Sequence, residues 1–135
     1  MRISKVIVYT DGAARGNPGP AAIGAVITDE QGKRIADISR RIGTTTNNQA
    51  EYRAVIAALK KAIDLGAMDV ELKADSELFV KQINGRYKVK NTALRPLYQE
   101  VVKLIGSLES FKASYIPRAQ NAEADKLANK ALDRS

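Results

Sequence analysis

Val6-Ile7-Val8-Tyr9-Thr10-Asp11-Gly12-Ala13-Ala14-Arg15-Gly16-Asn17-Pro18-Gly19-Pro20 joins an apolar, β-branched run to a turn rich in glycine and proline. Val6 to Tyr9 are apolar without alternation, the pattern of a strand covered on both faces. The strand is expected to stop at Asp11, where the punctuation of Gly12, Gly16, Pro18, Gly19 and Pro20 begins. Asp11 then has two readings. It can open an Asp-Gly turn, or it can be a carboxylate at a strand end that needs a cation, because burying an unpaired charge is strongly unfavourable. The choice depends on whether other carboxylates point to the same place.

The rest of the chain supplies them. Ala22–Thr28 and Lys33–Ile42 read as strands joined by Asp29-Glu30-Gln31-Gly32, which makes three consecutive antiparallel strands. Thr44 to Asn48 offer capping residues before a helix marked by Tyr52, Val55, Ile56, Leu59 and Ile63 and ended by Gly66. Glu51 falls in the first turn of that helix, beside its inward stripe. Asp69–Asp75 alternates, with Val70, Leu72 and Ala74 on one side, and ends in a carboxylate. Ser76 can cap the short helix that follows through Leu78, Val80 and Ile83. A basic link, Asn84 to Asn91, leads to an amphipathic helix marked by Leu94, Leu97, Tyr98, Val101, Ile105 and Leu108. Phe111–Ile116 is a last strand. From about Ala122 a final helix buries Ala124, Leu127, Ala128, Ala131 and Leu132, with Asp125 in their row. The order of elements predicts an α/β fold, a mixed five-stranded sheet with helices on both faces. Asp11 and Asp75 would emerge beyond the carboxyl ends of the strands, where open sheets carry their sites.

Composition narrows the chemistry. The 135 residues fit one domain, 1–135, with 44% hydrophobic residues and no repeat or low-complexity tract. No leader pattern and no run of 18 apolar residues is visible, so a cytoplasmic protein with no membrane association is expected. A monomer is the default expectation, although the sequence does not give the oligomeric state. Cysteine and histidine are both absent. That excludes thiolate catalysis, zinc–sulfur sites and Ser-His-Asp arrangements, and it leaves oxygen as the ligand for any metal, favouring Mg²⁺, Mn²⁺ or Ca²⁺. Lys and Arg total 22 against 15 Asp and Glu, a net charge of +7, so a polyanionic partner is expected.

Each acid has an ordinary explanation alone: Asp11 a turn, Glu51 a capping acid, Asp75 and Asp125 helix-start acids. Together they are harder to dismiss. Two unit charges about 4 Å apart repel by roughly 4 kcal/mol at an effective dielectric of about 20. A cluster of four persists only if divalent cations neutralise it or some members stay protonated.

Four pieces of the chain, in order, resemble type 1 ribonuclease H. They are Tyr9-Thr10-Asp11-Gly12 with Gly16-Asn17-Pro18-Gly19-Pro20, then Thr46-Asn47-Asn48-Gln49-Ala50-Glu51, then Ala74-Asp75-Ser76, and finally Asn121-Ala122-Glu123-Ala124-Asp125. The resemblance implies a ribonuclease H-like fold in which Asp11, Glu51, Asp75 and Asp125 are catalytic and hold two Mg²⁺ or Mn²⁺ ions. It implies hydrolysis of the RNA strand of RNA–DNA hybrids, leaving 5′-phosphate and 3′-hydroxyl ends. It places Gly12, Asn17, Asn47, Asn48, Gln49 and Ser76 at positions that contact the hybrid, and Thr46 at one that grips a phosphate of the DNA strand. Capping and loop structure explain the same polar residues equally well.

Two departures from the family stand out. The loop before the last helix reads Pro117-Arg118-Ala119-Gln120-Asn121, with Arg118 where many relatives carry a histidine. A guanidinium attracts phosphate but does not act as a base. The link from Asn84 to Pro96 is too short for the basic helical handle of some relatives, so binding leans on Arg86, Lys88, Lys90 and Arg95 or is weaker; a solvated surface explains these four residues equally well. Cleavage of double-stranded RNA as well, or a catalytically silent hybrid-binding module, are the alternatives.

Overall fold

A computed structural model describes residues 4–85 and 88–134; the expected contact of Arg86 lies outside them. The strands are β1 (Lys5–Ala14), β2 (Gly19–Thr28), β3 (Arg34–Thr45), β4 (Asp69–Ala74) and β5 (Ser110–Tyr115). The helices are α1 (Asn47–Asp64), α2 (Glu77–Ile83), α3 (Arg95–Gly106) and α4 (Ala122–Asp133), the last preceded by a 3-10 turn at Arg118–Asn121. They form one sheet in the order β3-β2-β1-β4-β5. β1, β2 and β3 pair antiparallel, whereas β4 pairs parallel with both β1 and β5. This is the mixed sheet that the order of elements predicts. None of the described helices is long and apolar enough to cross a membrane.

Alternation along β1 sorts the two faces. Val6, Val8, Thr10 and Gly12 are buried on the side of α1, while Ile7, Tyr9, Asp11 and Ala13 are half-buried on the other. The expected cover on both faces is present, and it is tighter on the α1 side. Two glycines let helices reach bare backbone. A Cβ on Gly12 would collide with the backbone of Ala50 and Glu51 in α1, and one on Gly24 with the Ala124 carbonyl and Ala128 nitrogen of α4. Gly24 pairs with Asp11, so the packing of α4 at Gly24 sets that helix beside Asp11. The main core joins Val6, Val8, Tyr52, Val55, Leu59, Val70 and Leu72. Tyr52 meets Phe79 edge-on at 4.9 Å, which ties α1 to α2.

Several boundaries depart from the expected ones. β1 does not stop at Asp11 but continues to Ala14, because β2 begins at Gly19 and pairs Gly12, Ala13 and Ala14 with Ile23, Ala22 and Ala21. Asp11 is therefore not the first residue of a turn. β3 continues to Thr45, three residues beyond Ile42, for the same reason of pairing with β2. Glu51 sits in the second turn of α1 rather than the first, since Thr46 is the N-cap and accepts from the Gln49 N–H at 3.2 Å. Ile63 and Leu127 are half-buried where the pattern expected core; Ala62 takes the inward place at the end of α1. Among its described residues the link 84–94 carries no helix, as its length predicts.

Filling the Gly24 contact should cost far more than filling an open glycine. Gly24→Ala is expected to destabilise by about 1–3 kcal/mol through overpacking against α4. Gly106→Ala, with nothing near its Cβ position, should be neutral or stabilising by up to about 1 kcal/mol. Urea unfolding of both variants beside the parent checks the pair.

Candidate active site

The four acids reach one place from four elements. Asp11 projects from β1 on the α4 face, two residues past the last β1–β4 pair, Tyr9 with Lys73. Asp75 follows the last residue of β4, and Ser76 after it caps α2 by accepting the Phe79 N–H at 3.4 Å. Glu51 comes from α1 and Asp125 from the start of α4. Asp11, Glu51 and Asp75 line a small cleft with Thr10, Ala74 and Phe79. Asp125 closes on it through a hydrogen bond with Asp11.

Their electrostatics show the crowding. Asp11 is pushed up to about 8, first by burial, then by its hydrogen bond with Asp125 and by the charges of Asp75, Asp125 and Glu51. Glu51 rises to about 7, again first through burial; a hydrogen bond with Ser76 opposes the rise and Asp75 adds to it. Three of the acids also accept from an amide side chain. Asn47 Nδ2 donates to Glu51 Oε1 at 2.9 Å, Asn121 Nδ2 to Asp75 Oδ2 at 2.9 Å, and Asn129 Nδ2 to Asp125 Oδ1 at 3.2 Å. Arg118 Nη2 lies 3.6 Å from Asp125 Oδ1, but its side chain is 81% exposed, so this ion pair is weak.

With these partners, no three acidic side chains among the described residues meet at metal-ligand spacing. The donor set nevertheless fits a hard divalent cation in kind. It offers only carboxylate oxygens, and a cation would relieve the repulsion and burial that hold Asp11 and Glu51 protonated.

The polar residues flagged for the hybrid frame this cleft. Gly12 lies under the start of α1. Asn17, preceding a cis bond to Pro18, accepts the Asn47 N–H on its Oδ1 at 3.1 Å and ties the glycine-rich turn to α1. Thr46 caps α1, Gln49 is hydrogen-bonded to Thr45, and Asn48 is exposed. Ser76 is half-buried and engaged with Glu51 and α2, an inward role that the capping pattern only half reveals. The basic link runs along a separate groove of about 410 Å³ lined by Lys88, Lys90, Arg95, Tyr98 and Gln99. Sequence reasoning assigned no role to Asn121, which is 1% exposed and touches both Thr10 and Asp75. Its signal was faint: one amide four residues before Asp125.

The raised acids give the metal-free protein a defined pH dependence. Between about 4, where the unfolded chain releases these protons, and about 8, the folded state holds more protons than the unfolded one. This contribution to stability is full at the acid end and is lost as pH rises toward 8. Asp11→Asn should therefore leave the melting midpoint little changed near pH 4 and raise it progressively toward pH 8 in chelator. Thermal melts across that range check the sign.

The chain is similar to known proteins over most of its length. The profile of the reverse transcriptase-like family matches residues 9–131. The chain is 45% identical over 132 residues to ribonuclease HI of Halobacterium salinarum, covering 98% of this chain and 66% of that protein. It is 34% identical to ribonuclease H of Ehrlichia ruminantium, covering 96% of each. The chain spans only 36% of a bifunctional protein of Mycobacterium tuberculosis to which it is 44% identical. Among solved structures, the Halobacterium salinarum RNase H1 superposes with a TM-score of 0.95 at 44% identity, covering 98% of this chain and all of that one. LC11-RNase H1, solved in complex with an RNA/DNA hybrid, gives a TM-score of 0.90 at 46% identity, covering 95% of this chain and 96% of that one. With its sheet order, its four acid-bearing motifs and, among the described residues, no helix between α2 and α3, the chain belongs to the type 1 ribonuclease H family, in the form without a basic handle.

Proposed function

We propose that this chain is a metal-dependent endoribonuclease that hydrolyses the RNA strand of RNA–DNA hybrids and leaves 5′-phosphate and 3′-hydroxyl ends. The observation that carries the reading is the convergence of Asp11, Glu51, Asp75 and Asp125 on one cleft, with burial and mutual repulsion strong enough to push Asp11 up to about 8. The names of its relatives and the hybrid bound by LC11-RNase H1 support the substrate class. Asp11, Glu51, Asp75 and Asp125 would hold two Mg²⁺ or Mn²⁺ ions. When bound, such a pair supplies activation of the attacking water and neutralisation of charge on the departing 3′ oxygen, so no histidine base is required.

The protein's own groups do the rest. Asn47 and Ser76 steady Glu51, and Asn121 steadies Asp75. The amides of Asn17, Asn47, Asn48 and Gln49, with the backbone at Gly12, read the 2′-hydroxyl and the minor-groove shape rather than base sequence. Thr46, the N-cap of α1, would grip a phosphate of the DNA strand. Arg118, exposed and only weakly paired with Asp125, attracts phosphate and the departing product without acting as a base. Lys88, Lys90 and Arg95 add sequence-independent grip on the DNA strand.

Two measurements check this. An end-labelled hybrid should be cut in its RNA strand with Mg²⁺ or Mn²⁺ and left intact in chelator, beside single-stranded RNA, double-stranded RNA and DNA duplex. Asp11→Asn should lower turnover beyond the roughly 10–100-fold typical of losing a ligand's hydrogen-bond partner, while hybrid binding persists. A folded parent that binds hybrid without cutting it would instead be a silent binding module. Separately, replacing Lys88 and Lys90 together by Ala should weaken hybrid binding evenly across sequences and reduce the salt slope by about 1–2, with turnover at saturating hybrid unchanged.

A further inference from the structure

We infer that Asn121 is the positioning residue that fixes the gap between Asp11 and Asp75. The inference rests on the reading of those two acids as cation ligands. The pairing of β1 with β4 ends at Tyr9 and Lys73, which also stack as a cation over a ring at 5.8 Å. Beyond that pair the sheet splits. Thr10 and Asp11 stay paired with Ala25 and Gly24 of β2, while Ala74 stays paired with Tyr115 of β5. Asp11 and Asp75 therefore stand on opposite lips of a cleft whose width the β ladder no longer sets.

One side chain spans that split. Asn121 Nδ2 donates to the Thr10 carbonyl at 2.8 Å and to Asp75 Oδ2 at 2.9 Å, so one N–H holds each lip. A primary amide nitrogen has two hydrogens, and both are used. The opposite amide orientation would set an oxygen against a carbonyl and a carboxylate, so the chemistry of its neighbours fixes which atom faces the cleft. The other end of the same amide is sacrificed: Asn121 Oδ1 is buried with no hydrogen-bond partner among the described residues. Buried acceptors are rarely left so, and here the placement of the side chain follows its two donors. Asn121 also ends the 3-10 turn that leads into α4, the helix that carries Asp125. A single amide thus couples the positions of three of the four acids without touching the substrate.

The test uses Asn121→Leu, close in shape but without donors, and Asn121→Ser, which keeps one. Mn²⁺ binding to the hybrid-free protein is measured by calorimetry, and cleavage is followed as a function of Mg²⁺ concentration, both well below each variant's melting midpoint. Asn121→Leu should weaken Mn²⁺ binding and raise the half-saturating Mg²⁺ by roughly 10–100-fold, as removing a ligand's outer partner does, with KM for the hybrid unchanged and Asn121→Ser intermediate. Variants with parental Mn²⁺ affinity and Mg²⁺ dependence would overturn the inference, whatever their melting midpoints. If neither variant folds, the side-chain amide of Asn121 in the parent decides by NMR: its resonances should shift through a Mn²⁺-free Mg²⁺ titration, and unmoved resonances would overturn it. A parent that binds Mn²⁺ but cuts no hybrid would defeat the proposed activity alone, and the calorimetric comparison would still judge Asn121.

Discussion

Two helices resting on bare backbone, α1 at Gly12 and α4 at Gly24, are the constraint from which the site follows. Carboxylates repel, so nothing in the acids themselves draws them together. The core does it for them. Apolar burial of β1, β4 and α1 places Asp11, Asp75 and Glu51, and the fit of α4 onto Gly24 delivers Asp125 to the same cleft. A single methyl group at either glycine would hold its helix away from the sheet and spread the acids apart.

The price is visible in the protonation of the site. Burial and like charge hold protons on Asp11 and Glu51 well above the ordinary carboxylate range. Such a cluster lowers the stability of the metal-free fold near neutral pH, and a divalent cation binding only the folded form would restore it by mass action. Stability is commonly traded for function at sites of this kind. The hydrogen bonds from Asn47, Ser76, Asn121 and Asn129 limit the cost while leaving the acids close to one another.

Much of this was legible in the amino-acid sequence, and the parts that were not share a cause. The helix cap at Ser76, a capping run before α1, the alternation of β4 and the order of elements are local signals, and each is found in place. The candidate acids were legible as types at strand and helix termini, although their convergence needed the fold. The end of β1 was misplaced because Gly12-Ala13-Ala14 look like a turn until β2 pairs with them. Glu51 was put a turn too early because any of Thr44 to Asn48 can cap, and only the folded chain selects Thr46. The role of Asn121 has little local signal, since its partners lie 111 and 46 residues away, beyond any spacing rule. Gly24 reads as one more small residue in a strand until α4 sits on it.

The sheet order has a temporal consequence. The acids are numbered 11, 51, 75 and 125, and the parallel pairing of β1 with β4 joins segments separated by the whole of β2, β3 and α1. Contacts of such long range form late and make folding slow compared with helical bundles. A chain in which α4 has not yet docked on Gly24 lacks its fourth carboxylate, however complete the rest of the sheet. The cleft is therefore complete only when all of these elements have packed, and its assembly serves as a readout of completed folding.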